Sequence, residues 1–127
     1  MPEMRPSRVL LLAALIISPA VPVLAWAAEP PKPFSLCIAC HTGEPDALGP
    51  DLHGVVGRKA GSVEGFRYSG PMRRSNIVWT PETLQRYLQD PQSVVPGTRM
   101  PIDGLSSADA ATVVTYLATL KPPPGGR

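Results

Sequence analysis

Between positions 28 and 127, 24 of 100 residues are glycine or proline, comprising 13 of the chain's 17 prolines and all 11 of its glycines. Proline removes a backbone donor and fixes φ, and glycine costs the most chain entropy to order, so long helices and sheets cannot run through such a stretch. The punctuation is dense over 42–79, where Gly49-Pro50, Gly54, Gly57, Gly61, Gly65 and Gly70-Pro71 succeed one another with no sustained period of 2 or 3.6. A loop of this length inside a compact domain is uncommon unless it serves a function. Leu, Ile, Val and Phe together number only 21 in the same 100 residues. A chain of that size and make-up closes a poor core unaided, which predicts a further apolar body at its centre.

The first 27 residues read as an address. Arg5 and Arg8 precede an apolar run over 9–17, and Ala25-Trp26-Ala27 closes the segment. A charged region, an apolar region and an A-x-A site together form a signal peptide over 1–27 with cleavage before Ala28. Positions 9–28 are long enough to remain as an uncleaved membrane anchor, but Pro19, Pro22 and the A-x-A site favour removal. In either case the domain is exported to the periplasm; with no twin-Arg pair the general, unfolded route is expected. The stretch 28–33 (AEPPKP) then reads as a stiff N-terminal linker, 34–121 as the domain and 122–127 as a flexible tail.

The full chain of 127 residues leaves room for one domain, which excludes doubly wound, P-loop and TIM-barrel enzymes. Twelve Lys+Arg against ten Asp+Glu give a net charge of +2, and no block of five like charges appears, so no nucleic-acid footprint is present.

Helical signals are short and all-α. Residues 34–41 (FSLCIACH) are compatible with a short helix opened by Pro33. Thr80 is an N-cap, Pro81 suits the first helical position, Leu84, Tyr87 and Leu88 share a face, and Asp90-Pro91 stops the run. The stretch 91–105 reads as loop. Ser106 caps a last helix over 107–120 with Ala110, Val113, Val114, Leu117 and Leu120 on one side.

The chemistry-bearing string is Cys37-Ile38-Ala39-Cys40-His41, a C-x-x-C-H. Two thiols three residues apart on one turn face the same way and can each add to one vinyl group of a haem, and the histidine that follows lies under the iron. This spacing marks c-type haem attachment. A redox C-x-x-C needs a βαβ context, and a structural zinc site needs four ligands; His53 is the only other histidine. One covalent haem c also provides the missing apolar centre.

A sixth iron ligand has three candidates, His53, Met72 and Met100. His53 follows His41 by 12 residues, which keeps it on the same side of the ring, where it braces the loop. Met72 reads as packing. Met100 lies in Pro96-Gly97-Thr98-Arg99-Met100-Pro101, a stiffened segment long enough removed from His41 to reach the opposite face. A soft thioether stabilises ferrous iron.

With these residues in place, the chain resembles the class I c-type cytochromes, of the soluble bacterial and mitochondrial kind. The likeness spans about 34–120 and runs through CIACHT, GPDLHGVVGRKAG, FRYSG, IVWTPETLQRYLQDP and VVPGTRMP in order, then a final helix with Tyr116-Leu117. It implies a small all-α cytochrome c fold of three to five helices and long loops around one haem, with the first and last helices crossing. It implies that the Pro50 carbonyl takes the ring N–H of His41, that Arg58, Tyr68 and Trp79 hold or shield the haem propionates, that Thr98 makes a second propionate contact, and that Tyr87 stands beside the ligating sulfur. His41 and Met100 are the implied metal ligands, and Cys37 and Cys40 the attachment points.

Two departures carry expectations. Only nine residues, three of them proline, separate the expected cleavage point before Ala28 from Cys37, so the first helix is short and Phe34 becomes its contact with the last. Asn76 stands where the family commonly has glycine, and asparagine tolerates the left-handed region. The function implied is that of a periplasmic carrier of single electrons between redox proteins. It is not an enzyme; the alternative is a haem c subunit bound tightly to a periplasmic dehydrogenase or oxidoreductase. Contact with a membrane would come only through a redox partner or an uncleaved anchor.

Overall fold

A computed structural model describes residues 27–125. The expected signal peptide, up to its last residue, and the final two residues of the tail lie outside these.

The described residues form five short α-helices and no strand. They are α1 (Ser35–Ile38), α2 (Gly70–Arg74), α3 (Pro81–Gln89), α4 (Pro91–Val94) and α5 (Ser107–Leu117), with a 3-10 turn at Lys32–Phe34 leading into α1. The all-α expectation holds. Its details shift at four places. The first helix is a 3-10 turn followed by one α turn, rather than a run over 34–41. The last ends at Leu117 rather than at residue 120. Two one-turn helices, α2 and α4, interrupt segments read as loop. Both carry a proline in the first two positions behind a side-chain cap: Ser69 Oγ accepts from the Met72 N–H, and Asp90 Oδ1 from the Ser93 N–H.

The larger helices start as their sequences dictate. Thr80 and Thr83 make a reciprocal capping box on α3, and Ser106 Oγ accepts from the Asp109 N–H on α5. The face of α3 bearing Leu84, Tyr87 and Leu88 packs on the face of α5 bearing Ala110, Val113, Val114 and Leu117. The N-terminal turn crosses the end of α5, where Phe34, 5% exposed, meets Tyr116 edge to face with centroids 4.7 Å apart. A first helix of one turn therefore reaches the last helix through a single aromatic pair.

The long Gly-rich segment is held by scattered backbone bonds rather than by a ladder. Gly57 N–H donates to the Trp79 carbonyl at 2.8 Å, Trp79 N–H to Arg58 at 2.9 Å and Ala60 N–H to Ile77 at 2.8 Å. Asn76, at the turn before these pairs, has φ 55°, the one non-glycine left-handed residue among those described. Gly54 N–H donates to the Leu120 carbonyl at 2.7 Å, and Pro122 lies directly over Gly54. The segment expected to be a free tail thus begins with a proline seated on the loop.

These elements surround a cavity of about 390 Å³ bordered by the buried core. Its walls come from every part of the chain: α1, the 48–55 loop, 66–72, α3, 98–105 and the inner face of α5.

Candidate cofactor site

The attachment turn is built by the carbonyl of Cys37, which accepts from the N–H groups of Cys40 (3.1 Å) and His41 (2.8 Å). This tight turn puts Cys37, Cys40 and His41 together on the cavity wall. Both cysteines are half-buried free thiols, and burial pushes the Cys37 thiol above its usual pKa.

The next loop fixes the imidazole. Gly49 N–H donates to the Cys40 carbonyl at 2.9 Å, which lays the Gly49 backbone flat against the ring. A Cβ at position 49 would stand 2.5 Å from His41 Cε1, so only glycine fits. His41 Nδ1 donates to the Pro50 carbonyl at 2.7 Å. A carbonyl only accepts, so Nδ1 carries the proton and Nε2 keeps a lone pair for a metal. Burial, partly opposed by the Pro50 bond, pushes the ring below the ordinary imidazole pKa. The ring is therefore neutral at neutral pH, as a ligand must be.

Pro50 and the two residues after it are braced from outside. Arg58 donates to the carbonyls of Asp51 (2.8 Å) and His53 (3.1 Å), and Asp51 Oδ1 accepts from both the N–H and the ring Nδ1 of His53. His53 is an exposed member of this loop.

A second cluster presents Met100. Tyr87 Oη and Thr98 Oγ1 are 2.6 Å apart and buried, and the Met100 N–H donates to Thr98 Oγ1 at 3.4 Å. Gln92, on α4, clamps the same turn, donating Nε2–H to the Thr98 carbonyl (3.0 Å) and accepting from the Gly97 N–H (3.1 Å). Burial raises the Tyr87 pKa, against the Thr98 bond, so its hydroxyl stays protonated. Trp79 packs on Tyr87 with centroids 4.9 Å apart. Tyr68 packs on Phe66 at 4.8 Å, and its Oη accepts from the Val63 N–H at 3.1 Å, leaving the phenol hydrogen to donate.

Nine of the ten residues singled out in the sequence lie on this one cavity wall: Cys37, Cys40, His41, Pro50, Tyr68, Trp79, Tyr87, Thr98 and Met100. Arg58 does not; it braces the loop that carries Pro50, and its charge reaches the site through Tyr68, whose raised pKa it partly offsets. Met72 also lines the cavity, but it is a buried member of α2 packed into the core. Three participants escaped the sequence. Gly49 was read only as a turn residue. Gln92 falls in a stretch read as loop, where the D-P-x-S cap of α4 was the overlooked signal. Arg67 lines the cavity between Phe66 and Tyr68, the middle of the FRYSG string.

The residues fit a c-type haem. Two thiols and an oriented, neutral imidazole share one edge, and thioethers stand among the other lining groups. The remaining walls are mainly apolar, and no carboxylate lines them. Among the described residues no three His, Cys, Asp or Glu side chains converge on a site for a bare metal ion.

Comparison with known proteins agrees. The cytochrome c family model matches residues 32–121. Cytochrome c2 iso-2 of Magnetospirillum molischianum is 45% identical over 97 residues, covering 74% of this chain and all of that one. Among solved structures, cytochrome cH from Methylobacterium extorquens superposes with a TM-score of 0.66 at 38% identity, covering 69% of this chain and 92% of that one. Ferricytochrome c2 from Rhodopseudomonas palustris gives 0.65 at 36% identity, over 70% and 93%.

Proposed function

The chain belongs to the cytochrome c family, and from that premise we propose that it is a periplasmic carrier of single electrons, with one haem c whose iron would be held by His41 and Met100. Cys37 and Cys40 are the covalent attachment points of that haem. It is an electron carrier rather than an enzyme. The haem supplies an iron that alternates between two oxidation states. All other work falls to the chain. His41 is kept neutral and rotationally fixed by Pro50 and Gly49. The turn 95–98, clamped by Tyr87 and Gln92, holds Met100 in place whether the iron is oxidised or reduced. Apolar side chains from α3 and α5 exclude water. With His41 and Met100 both holding the iron, no position on it would be left for a substrate, and the chemistry the haem would supply is electron transfer alone.

The observation that carries this reading is the 2.7 Å bond from His41 Nδ1 to Pro50, because it assigns the tautomer a metal needs on the one turn that also bears both thiols. Met100 is preferred over Met72 because it lies on an extended segment with its own clamp, whereas Met72 is 9% exposed and part of the core. Location in the periplasm rests on the signal-like sequence over 1–27.

The test is expression of the full chain in a bacterium that matures c-type haem. Fractionation should recover a protein beginning at Ala28 in the periplasm, with haem that survives denaturation and a single one-electron redox wave. Recovery only in complex with a catalytic polypeptide would favour the enzyme-subunit alternative, for which the exposed apolar residues Leu36 and Leu48 offer a permanent interface. A cytoplasmic protein without covalent haem would overturn both.

A further inference from the structure

The charged lining of the cavity is lopsided. Its wall carries two arginines, Arg67 and Arg99, and no Asp or Glu. A haem is an apolar ring with two carboxylates at one end, and a carboxylate moved out of water needs a cation or several donors. Arg58 gives one hydrogen bond each to the Asp51 and His53 carbonyls and stands behind Tyr68 rather than on the wall itself. Among the described residues the only carboxylate within ion-pair distance of a basic side chain is Asp51, beside His53, so no described carboxylate pairs with either wall arginine.

The neighbours decide between the two. Arg99 is followed on the wall by Met100, Pro101 and Ile102, all apolar, and the Thr98 hydroxyl before it is bonded to Tyr87. Arg67 continues into Tyr68 and Ser69, so 67–69 forms the polar strip of the wall. That strip is rigid: Phe66 and Tyr68 pack ring to ring, and Ser69 is 7% exposed and caps α2. Arg67 and Arg99 are both solvent-exposed residues of the lining, so it is their neighbours that set them apart.

We infer that Arg67 is a charge-pairing residue for a haem propionate and thereby raises the reduction potential of this cytochrome. The inference rests on the haem reading above. The physical reason is that an unpaired propionate stabilises the more positive ferric iron, and a paired cation cancels that stabilisation.

The test uses the full-length, haem-loaded protein and three variants, Arg67→Gln, Arg67→Lys and Arg74→Gln. Arg74 is an exposed cation of α2 that does not line the cavity. Arg67→Gln should retain covalent haem and an unchanged ligand spectrum, while its exchange equilibrium with a fixed one-electron mediator shifts toward the oxidised cytochrome by about threefold or more at neutral pH. Its potential should also rise as pH falls from about 8 to 5, because a propionate without its cation gains a proton more readily. Arg67→Lys should restore most of the potential and flatten the pH profile, and Arg74→Gln should change neither. An Arg67→Gln variant with the wild-type potential and pH profile overturns the assignment, as does an equal shift in Arg74→Gln, which would indicate only net charge. Absence of covalent haem from the parent protein would refute the haem reading instead, a distinct result on a denaturing gel.

Discussion

The hydroxyls of Tyr87 and Thr98 lie 2.6 Å apart in the interior, joining the last turn of α3 to the turn that carries Met100. Thr98 also accepts the Met100 N–H, so one hydroxyl couples a core helix to the proposed ligand. Tyr87→Phe keeps the ring against Trp79 and removes only this bond. It should destabilise the loaded protein by about 1–2 kcal/mol, seen as a lower denaturant midpoint with an unchanged slope. Thr98→Val should cost a similar amount, and the double variant should cost clearly less than the sum of the two, because both delete one interaction. Strict additivity would show that the bond does not couple them.

The loop beneath His41 has its own pH signature. Burial works to raise the Asp51 pKa, but the His53 N–H, the His53 ring and Arg58 together hold it below the ordinary carboxylate value of 3.8. A depressed carboxylate pKa stabilises the fold above the unfolded value and loses that contribution as pH falls through the folded value. Asp51→Asn should therefore be less stable than the parent at neutral pH, by under about 1 kcal/mol for so exposed a group. Denaturant midpoints of the two proteins should converge as the medium is taken below pH 3.8. A gap that persists in acid would assign the effect to shape rather than charge.

Without haem the chain should not fold. The cavity of about 390 Å³, left empty, would cost up to roughly 9 kcal/mol at about 24 cal/mol per Å³, against a typical domain stability of about 5–15 kcal/mol. The double variant Cys37→Ser with Cys40→Ser, purified free of haem, should show little helical circular dichroism and no cooperative melt. A sharp, native-like transition in that protein would contradict this account.

How much of this was legible beforehand follows from where the information lies. The C-x-x-C-H turn, the Thr80 capping box and the Ser106 cap are local patterns, and each appears where its residues dictate. Asn76 takes the left-handed turn that a departure from glycine made a matter of concern, with φ 55°. The short helices α2 and α4 were hidden because four or five residues show no period; only their caps, Ser69 and Asp90, announce them. Arg58, which the resemblance sets beside a propionate, also gives a hydrogen bond to each of two backbone carbonyls, a bracing role its own segment does not announce. Which way a long side chain turns depends on packing across the loop, and no local pattern encodes that. Gln92 and Arg67 were missed for the same reason, since their partners are supplied by the fold.

Association with the native redox partner should depend only weakly on salt. Leu36 and Leu48, 59% and 81% exposed, line the cavity alongside Cys37 and Cys40 and form an apolar rim at the attachment edge. Charges around it are mixed, with Glu44 and Asp46 in the sequence between Cys40 and Leu48 and Arg99 on the cavity wall. The basic excess instead lies over 58–74, where Arg58, Lys59, Arg67, Arg73 and Arg74 face only Glu64. Between about 0.01 and 0.1 M salt the second-order electron-transfer rate should change by under about tenfold. A much steeper fall, abolished by Arg73→Glu with Arg74→Glu, would identify the basic segment as the docking face.

Met100 is the proposed partner of His41 in holding the iron. Carbon monoxide binds reduced haem only where a coordination position is open, so its uptake at neutral pH reads that pairing. The parent protein and Met72→Leu should not take up carbon monoxide on mixing, whereas Met100→Ala should bind it at once while retaining haem through Cys37 and Cys40. Ready uptake by the parent, or a Met100→Ala protein that still excludes carbon monoxide, would contradict the assignment.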